Sequence, residues 1–218
     1  VGRVVFFDVD GTLRAAGTPS TGAFLAGRKG DFERVAAAES AYARGEMTNQ
    51  QVSDVDATGF AGLPTARVDV WLDELPLIGG IDVVVGHCRQ RDWLPVLASL
   101  AWTAVTEHLA RRFGFALSGG PELEAVEGRY TGRVLTPWDE HDKRDAALAV
   151  AAEHGISPSA CLAVGDSRSH LPLFAVVGGS VALNASAACA AVASRSLVTQ
   201  DLADVIPLLE ALAARSAP

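Results

Sequence analysis

Short apolar runs alternate with amphipathic stretches along most of the chain. Residues 4–7 form a β-prone run that stops at Asp8, and residues 94–99 (LPVLAS) and 161–166 (CLAVGD) repeat the same grammar, each ending in a polar residue. Residues 180–184 (SVALN) add a further strand. Between these runs the apolar spacing is helical over 83–92, 103–113, 143–154, 186–193 and 202–214. Strands alternating with helices predict an α/β fold, a doubly wound, Rossmann-like parallel sheet. In such sheets the ligand sits at the carboxyl ends of the strands, and Asp8, Asp10, Ser99 and Asp166 all fall there.

The rhythm breaks between residues 14 and 76. That stretch reads as helices over 32–44, 49–58 and 65–72 with Gly- and Pro-containing joints. It predicts an inserted, mainly helical cap domain (14–76) on a core built from 1–13 and 77–218, with hinges near 14–17 and 76–80. Residues 122–135 place a Glu-Gly pair between two strand-like runs and predict a β-hairpin.

Composition narrows the function classes. The chain has 218 residues, 49% hydrophobic and 20% charged, which suits a globular protein rather than a disordered one. A formal charge of −8, with no Lys/Arg run to offset it, argues against nucleic acid as a partner. Cys88, Cys161 and Cys189 have neither disulfide-framework nor zinc spacing. No apolar stretch approaches the roughly eighteen residues of a membrane span, and no export signal is visible. A cytoplasmic protein, monomer or homodimer, with no membrane partner is the expectation.

The chemistry concentrates in FFDVDGTL, where Asp8 and Asp10 stand two apart just past a buried strand. An isolated Asp-x-Asp is ordinary turn composition. This longer run resembles the first motif of the haloacid dehalogenase (HAD) superfamily, and other motifs follow in order: Ser99 at a strand end, Lys143 at a helix start, and GDSRSHLPLF at 165–174. A helical cap between the first and second motifs is the pattern of the phosphoserine-phosphatase-like branch. The resemblance implies a Mg2+-dependent phosphatase acting on a small-molecule phosphate ester through an aspartyl-phosphate. Asp8 is then the nucleophile and Asp10 the acid/base, Ser99 and Lys143 bind the phosphoryl group, and Asp8, Asp10 and Asp166 hold the metal. Ser167 and His170 stand behind those ligands. Such roles are consistent with general physics: an aspartate can approach a phosphate dianion only where positive charge is supplied, and the leaving alcohol needs a proton.

Two positions depart from the pattern. His170 stands where the fourth motif usually carries a second acid, and an imidazole supplies no negative charge. In the cap, Asp56 aligns with the arginine by which phosphoserine phosphatases read the substrate carboxylate, and Gly17 with the glutamate that reads the amine. A carboxylate facing a carboxylate is repulsive, so the substrate is expected not to be phosphoserine. Asp54 and Asp56 suggest instead amino or hydroxyl groups, as in an amino-sugar or amino-alcohol phosphate. A phosphomutase or phosphotransferase of the same superfamily, and a catalytically weakened phosphate-ligand binding protein, are the competing readings.

Overall fold

The computed structural model describes residues 1–215. Its centre is a six-stranded, all-parallel sheet formed by β1 (Arg3–Phe7), β2 (Trp93–Leu97), β3 (Ala116–Leu117), β6 (Leu162–Gly165), β7 (Gly179–Leu183) and β8 (Arg195–Leu197). Their order is β3-β2-β1-β6-β7-β8, with Phe7 in register with Leu97 on one side and Val164 on the other. Every residue of β1, β6 and β7 is buried, because helices cover both faces. Alternation divides the strand side chains between two cores. Val5 and Phe7 pack with α5 (Ile81–Gln90), α6 (Thr103–Phe113) and α10 (Ile206–Arg215). Val4 and Phe6 pack with α7 (Glu140–Glu153), α8 (Leu171–Phe174) and α9 (Ala187–Val192).

From β1 the chain builds outward through β2 and β3, then returns to the other side of β1 as β6. The β1/β6 boundary is therefore the point where strand order reverses, which opens a crevice beyond the strand ends. Over that crevice lie α1 (Thr21–Lys29), α2 (Phe32–Ala43) and α3 (Asn49–Thr58), while α4 (Thr65–Leu72) packs against α1 and α6. The hairpin is present as β4 (Glu122–Val126) and β5 (Arg129–Thr136), with both turn residues, Glu127 and Gly128, at positive φ. It packs beneath the helical block: Gly62 N donates to Tyr130 O (2.8 Å), Tyr130 N donates to Leu63 O (2.9 Å), and the Phe60 and Tyr130 rings meet edge to face at 5.5 Å. Buried Arg14 ties together the two chain segments that join the sheet to this helical block, donating to the carbonyls of Pro19 (3.1 Å) and Pro76 (3.2 Å).

Several elements differ from the sequence expectation. Helix α1 was not anticipated, since Gly22 and Gly27 dilute its propensity. Its formation rests on the Ser20 N-cap and on burial of Ala23, Leu25 and Ala26. Strand β3 has only two residues, and β8 is a largely exposed edge, so neither leaves an apolar run to read. The expected helix 202–214 is a 3-10 turn (Leu202–Val205) followed by α10, with Pro207 at the junction, where its missing N–H is tolerated.

Candidate active site

Asp8 leaves β1 with its N–H bonded to Val164 O (3.1 Å), which fixes it beside the end of β6. The turn that follows needs Gly11, whose φ is 73°; a Cβ there would lie 1.9 Å from Asp166 Oδ2. The glycine thus lets the first and fourth motifs come together. Asp10 turns toward the cap, where its carboxylate accepts from the N–H (2.6 Å) and hydroxyl (2.9 Å) of Thr21, the first residue of α1. Ser99 lies just past β2 and hydrogen-bonds Asp8. Lys143 lies in the first turn of α7 rather than at its opening residue. The Asp139 capping box starts that helix three residues earlier than the apolar pattern suggests. Its side chain is fully buried, with Nζ 3.5 Å from Asp8 Oδ1 and 2.8 Å from His170 Nε2.

The charges are unequally balanced. Burial opposes ionisation of Asp8, yet Lys143 and the Ser99 hydroxyl hold its carboxyl below the ordinary value. Burial, and next the Asp8 charge, push Asp166 up to about 7 against the Ser167 hydroxyl and Lys143. Burial also raises Asp10 to about 6, opposed by its bonds from Thr21. His170 is held neutral, with its imidazolium lowered to about 3 by burial and the Lys143 ammonium. Ligand atoms of Asp8, Asp166 and His170 lie within 4.8 Å of one another. The ring nitrogens of His170 face Lys143 and Asp8 Oδ2 (3.3 Å), which leaves two carboxylates repelling each other. Hard oxygen donors with that uncompensated charge suit a small divalent cation.

Above the acids is a cavity of about 370 Å³, floored by Asp8, Asp10, Ser99, Asp166 and Ser167 and walled by the cap. The five predicted core residues Asp8, Asp10, Ser99, Lys143 and Asp166 converge here, with His170 buried behind Asp8. Asp56 lines the wall, but both its oxygens are engaged: Oδ1 takes Lys29 Nζ at 3.0 Å and Oδ2 takes Trp102 Nε1 at 2.7 Å. Asp54 lies on the exposed face of α3 and does not line the cavity. Sequence reasoning missed Glu39 and Tyr42. Together with Val35 they line the cavity from α2, and their i, i+4, i+7 spacing is the signal that could have found them. Glu39 accepts from the Ser20 hydroxyl, and no cation pairs with it among the described residues. Burial, then the Asp10 and Asp56 charges, push its carboxyl up to about 7 against that hydrogen bond.

Comparison with known proteins agrees with this geometry. Residues 5–175 match the family model described as haloacid dehalogenase-like hydrolase. The phosphoserine phosphatase SerB2 of Mycobacterium tuberculosis is 31% identical over 95% of this chain, which spans 50% of that protein's length. A Polaromonas phosphoserine phosphatase is 30% identical over 84% of the chain, matching 79% of its own length. A solved substrate-bound phosphoserine phosphatase complex superposes with a TM-score of 0.85 at 19% identity, over 95% of this chain and 98% of that one, so the fold is shared. Among the described residues no helix is long and apolar enough to cross a membrane. The chain belongs to the haloacid dehalogenase-like hydrolase family and falls on its phosphoserine-phosphatase-like branch of phosphatases.

Proposed function

We propose that this protein is a magnesium-dependent phosphatase that hydrolyses a small phosphate monoester through an aspartyl-phosphate on Asp8, and that its substrate is not phosphoserine. The observation that carries the reading is the convergence of Lys143 on Asp8: a buried ammonium 3.5 Å from a carboxylate held below its ordinary value, beside two acids raised to about 6 and about 7. Magnesium would be held by the Asp8 and Asp166 side chains and the Asp10 carbonyl, supplying the positive charge that lets a carboxylate approach a phosphate.

Asp8 forms the new P–O bond while the bond from phosphorus to the leaving alcohol breaks, and protonated Asp10 delivers its proton to that oxygen. A value of about 6 suits a group that must give this proton and later take one back. In the second half, ionised Asp10 removes a proton from water. The water oxygen attacks phosphorus, the Asp8 ester bond breaks, and phosphate leaves. Ser99 and Lys143 donate to the phosphoryl oxygens throughout.

The cap wall supports the substrate reading. Asp56 occupies the arginine position with its charge committed to Lys29, and Glu39 adds a carboxylate without a cation. This wall repels a substrate carboxylate and favours amino or hydroxyl groups, as on an amino-sugar or amino-alcohol phosphate. The test is phosphate release from p-nitrophenyl phosphate with and without Mg2+ by native protein and Asp8→Asn, followed by a panel of phosphorylated amino alcohols, amino sugars and phosphoserine. Magnesium-dependent turnover abolished by the substitution is expected. Turnover that survives Asp8→Asn would exclude the mechanism, and preference for phosphoserine would exclude the substrate class.

A further inference from the structure

Ser53 is 6% exposed and lines the cavity from α3, yet its hydroxyl has no hydrogen-bond partner among the described residues. The side-chain atoms that lack both a partner and any open surface belong to Thr12, Tyr42 and His108, so the Ser53 oxygen remains open to the cavity. A serine inside a helix can return its hydroxyl to the carbonyl four residues back, and Ser53 makes no such bond. With Asn49, Val52 and Asp56 it forms the stripe of α3, at i, i+3, i+4 and i+7, that faces the cavity. A buried polar group left without a partner on a cavity wall calls for an account.

Glu39 reaches the same cavity from α2. Its carboxylate accepts from the Ser20 hydroxyl and the Ala23 N–H, which leaves it further lone pairs, and the charges of Asp10 and Asp56 both act on it. Lys29 is committed to Asp56, whose other oxygen takes Trp102, so Glu39 is the acid of this wall with charge to spare. Gly22, the second residue of α1, lies between Glu39 and the end of the α3 stripe. A Cβ on it would stand 2.9 Å from Glu39 Oε1 and 3.6 Å from Asp56 Oδ2. Alanine is the better helix former, so the missing side chain costs α1 some stability, and what it leaves is an open gap between two carboxylates.

We propose that Glu39 and Ser53 together form the receptor for a primary ammonium on the substrate, in the gap that Gly22 leaves beside α2 and α3: Glu39 supplies the countercharge and the Ser53 oxygen accepts one N–H. The inference rests on the phosphatase reading above and names the group of the substrate that the cap reads. An ammonium only donates, and it needs acceptors and negative charge from the wall that receives it. The α2 acid and the unpartnered α3 hydroxyl provide both, while the core residues hold the phosphate end.

The experiment measures kcat/KM for two matched pairs of esters, phosphoethanolamine with 2-hydroxyethyl phosphate and glucosamine 6-phosphate with glucose 6-phosphate. The proteins are native, Ser53→Ala, Glu39→Gln, their double variant, Gly22→Ala, and Asp54→Ala as a control on the exposed face of α3. Native protein should prefer the amine in at least one pair by about tenfold or more. Ser53→Ala is expected to cut that ratio by about fivefold. On the Glu39→Gln background the same change should cut it by less than about twofold, since both residues hold one ammonium. Gly22→Ala closes the gap and should lower the ratio, while Asp54→Ala should leave it native. Ser53→Ala should melt at or above the native temperature, because it removes no hydrogen bond and improves helix propensity. An unchanged ratio in Ser53→Ala or Gly22→Ala, losses that simply multiply in the double variant, or no preference for either amine would overturn the receptor. With p-nitrophenyl phosphate still hydrolysed, each of those results leaves the phosphatase reading standing. A fall of several degrees in the melting temperature of Ser53→Ala would overturn the receptor too, by assigning the hydroxyl to the fold. Native protein that hydrolyses none of these esters, p-nitrophenyl phosphate included, would overturn both.

Discussion

The Lys143 ammonium lies 2.8 Å from His170 Nε2, and that contact fixes the state of the imidazole. An ammonium only donates, and of the two ring nitrogens Nε2 is the nearer to it, Nδ1 lying 3.3 Å from Nζ; with Nε2 accepting, the ring proton resides on Nδ1, which faces Asp8 Oδ2 at 3.3 Å. His170 therefore passes hydrogen bonding from Lys143 to Asp8. The acid usual at this position would instead pair with the lysine and add negative charge behind Asp8 and Asp166.

Putting that charge back should tighten the metal. His170→Asp is expected to lower the Mg2+ concentration for half-saturation by about tenfold, and His170→Asn, neutral and similarly small, should not. Both lose the ring packed over Gly165 and Phe174, so a gain confined to the aspartate separates charge from packing. Calorimetric Mg2+ titration of the three proteins checks it. Equal affinities would mean that the charge at position 170 does not govern binding.

Gly11 is the tightest steric condition on the site. Gly11→Ala sets a Cβ 1.9 Å from Asp166 Oδ2 at a φ of 73°, so the turn or the acid must move. A displacement near 1 Å at reacting groups costs about a hundredfold in rate, and that is the expected fall in kcat. Far-UV circular dichroism should stay native, since the strain is local. A variant with more than half the native kcat would show that the contact relaxes freely.

Much of this arrangement was legible in the sequence, for a physical reason. Doubly buried parallel strands write themselves as continuous apolar runs, and the first polar residue after each run marks the ligand crevice, which is how Asp8 and Asp166 could be read. Lys143 and Ser99 are ordinary residues locally and became readable only in register with those two motifs. The cap wall was not legible to the same degree. Glu39 belongs to the site through the rotation of α2, and Asp56 meets Lys29 and Trp102, respectively 27 residues before it and 46 after it. A partner so distant in sequence leaves no periodic trace, so the satisfied state of Asp56 had to come from the structure.

That satisfaction makes a stability prediction. The Lys29 and Asp56 side chains are 3% and 6% exposed and 3.0 Å apart, with Lys29 Nζ also 3.3 Å from the centroid of the Phe60 ring. Lys29→Met leaves a carboxylate buried without its cation and should cost about 3–5 kcal/mol. Adding Asp56→Leu removes that penalty, so the double variant should recover most of the loss. Urea denaturation of the single and double variants measures the coupling. Additive losses would show that the pair does not act as a unit.

Glu39 links stability and specificity through one proton. Its carboxyl sits at about 7 in the folded protein against an ordinary 4.5, so the native state holds a proton that the unfolded chain releases. Stability from this group is fully present below about pH 4.5 and is lost as pH rises through 7. Glu39→Gln keeps the Ser20 contact without the titration. Its stability relative to native protein should therefore grow across that window, read from urea midpoints at pH 5, 6, 7 and 8. An ammonium on the substrate would reverse the balance by favouring the charged form, since a fixed cation beside a buried acid stabilises ionisation. Glucosamine 6-phosphate and glucose 6-phosphate form a matched pair for this test. In native protein kcat/KM should favour the amino sugar, and in Glu39→Gln the ratio should shift toward the neutral sugar by about tenfold, roughly the value of one charge-assisted hydrogen bond. Turnover of p-nitrophenyl phosphate, which lacks any group to reach α2, should change little. A substitution that lowers all three substrates equally would place Glu39 in the support of Ser20 and α1 rather than in substrate recognition, because Ser20 both accepts from Ala23 N at 3.0 Å and donates to Glu39.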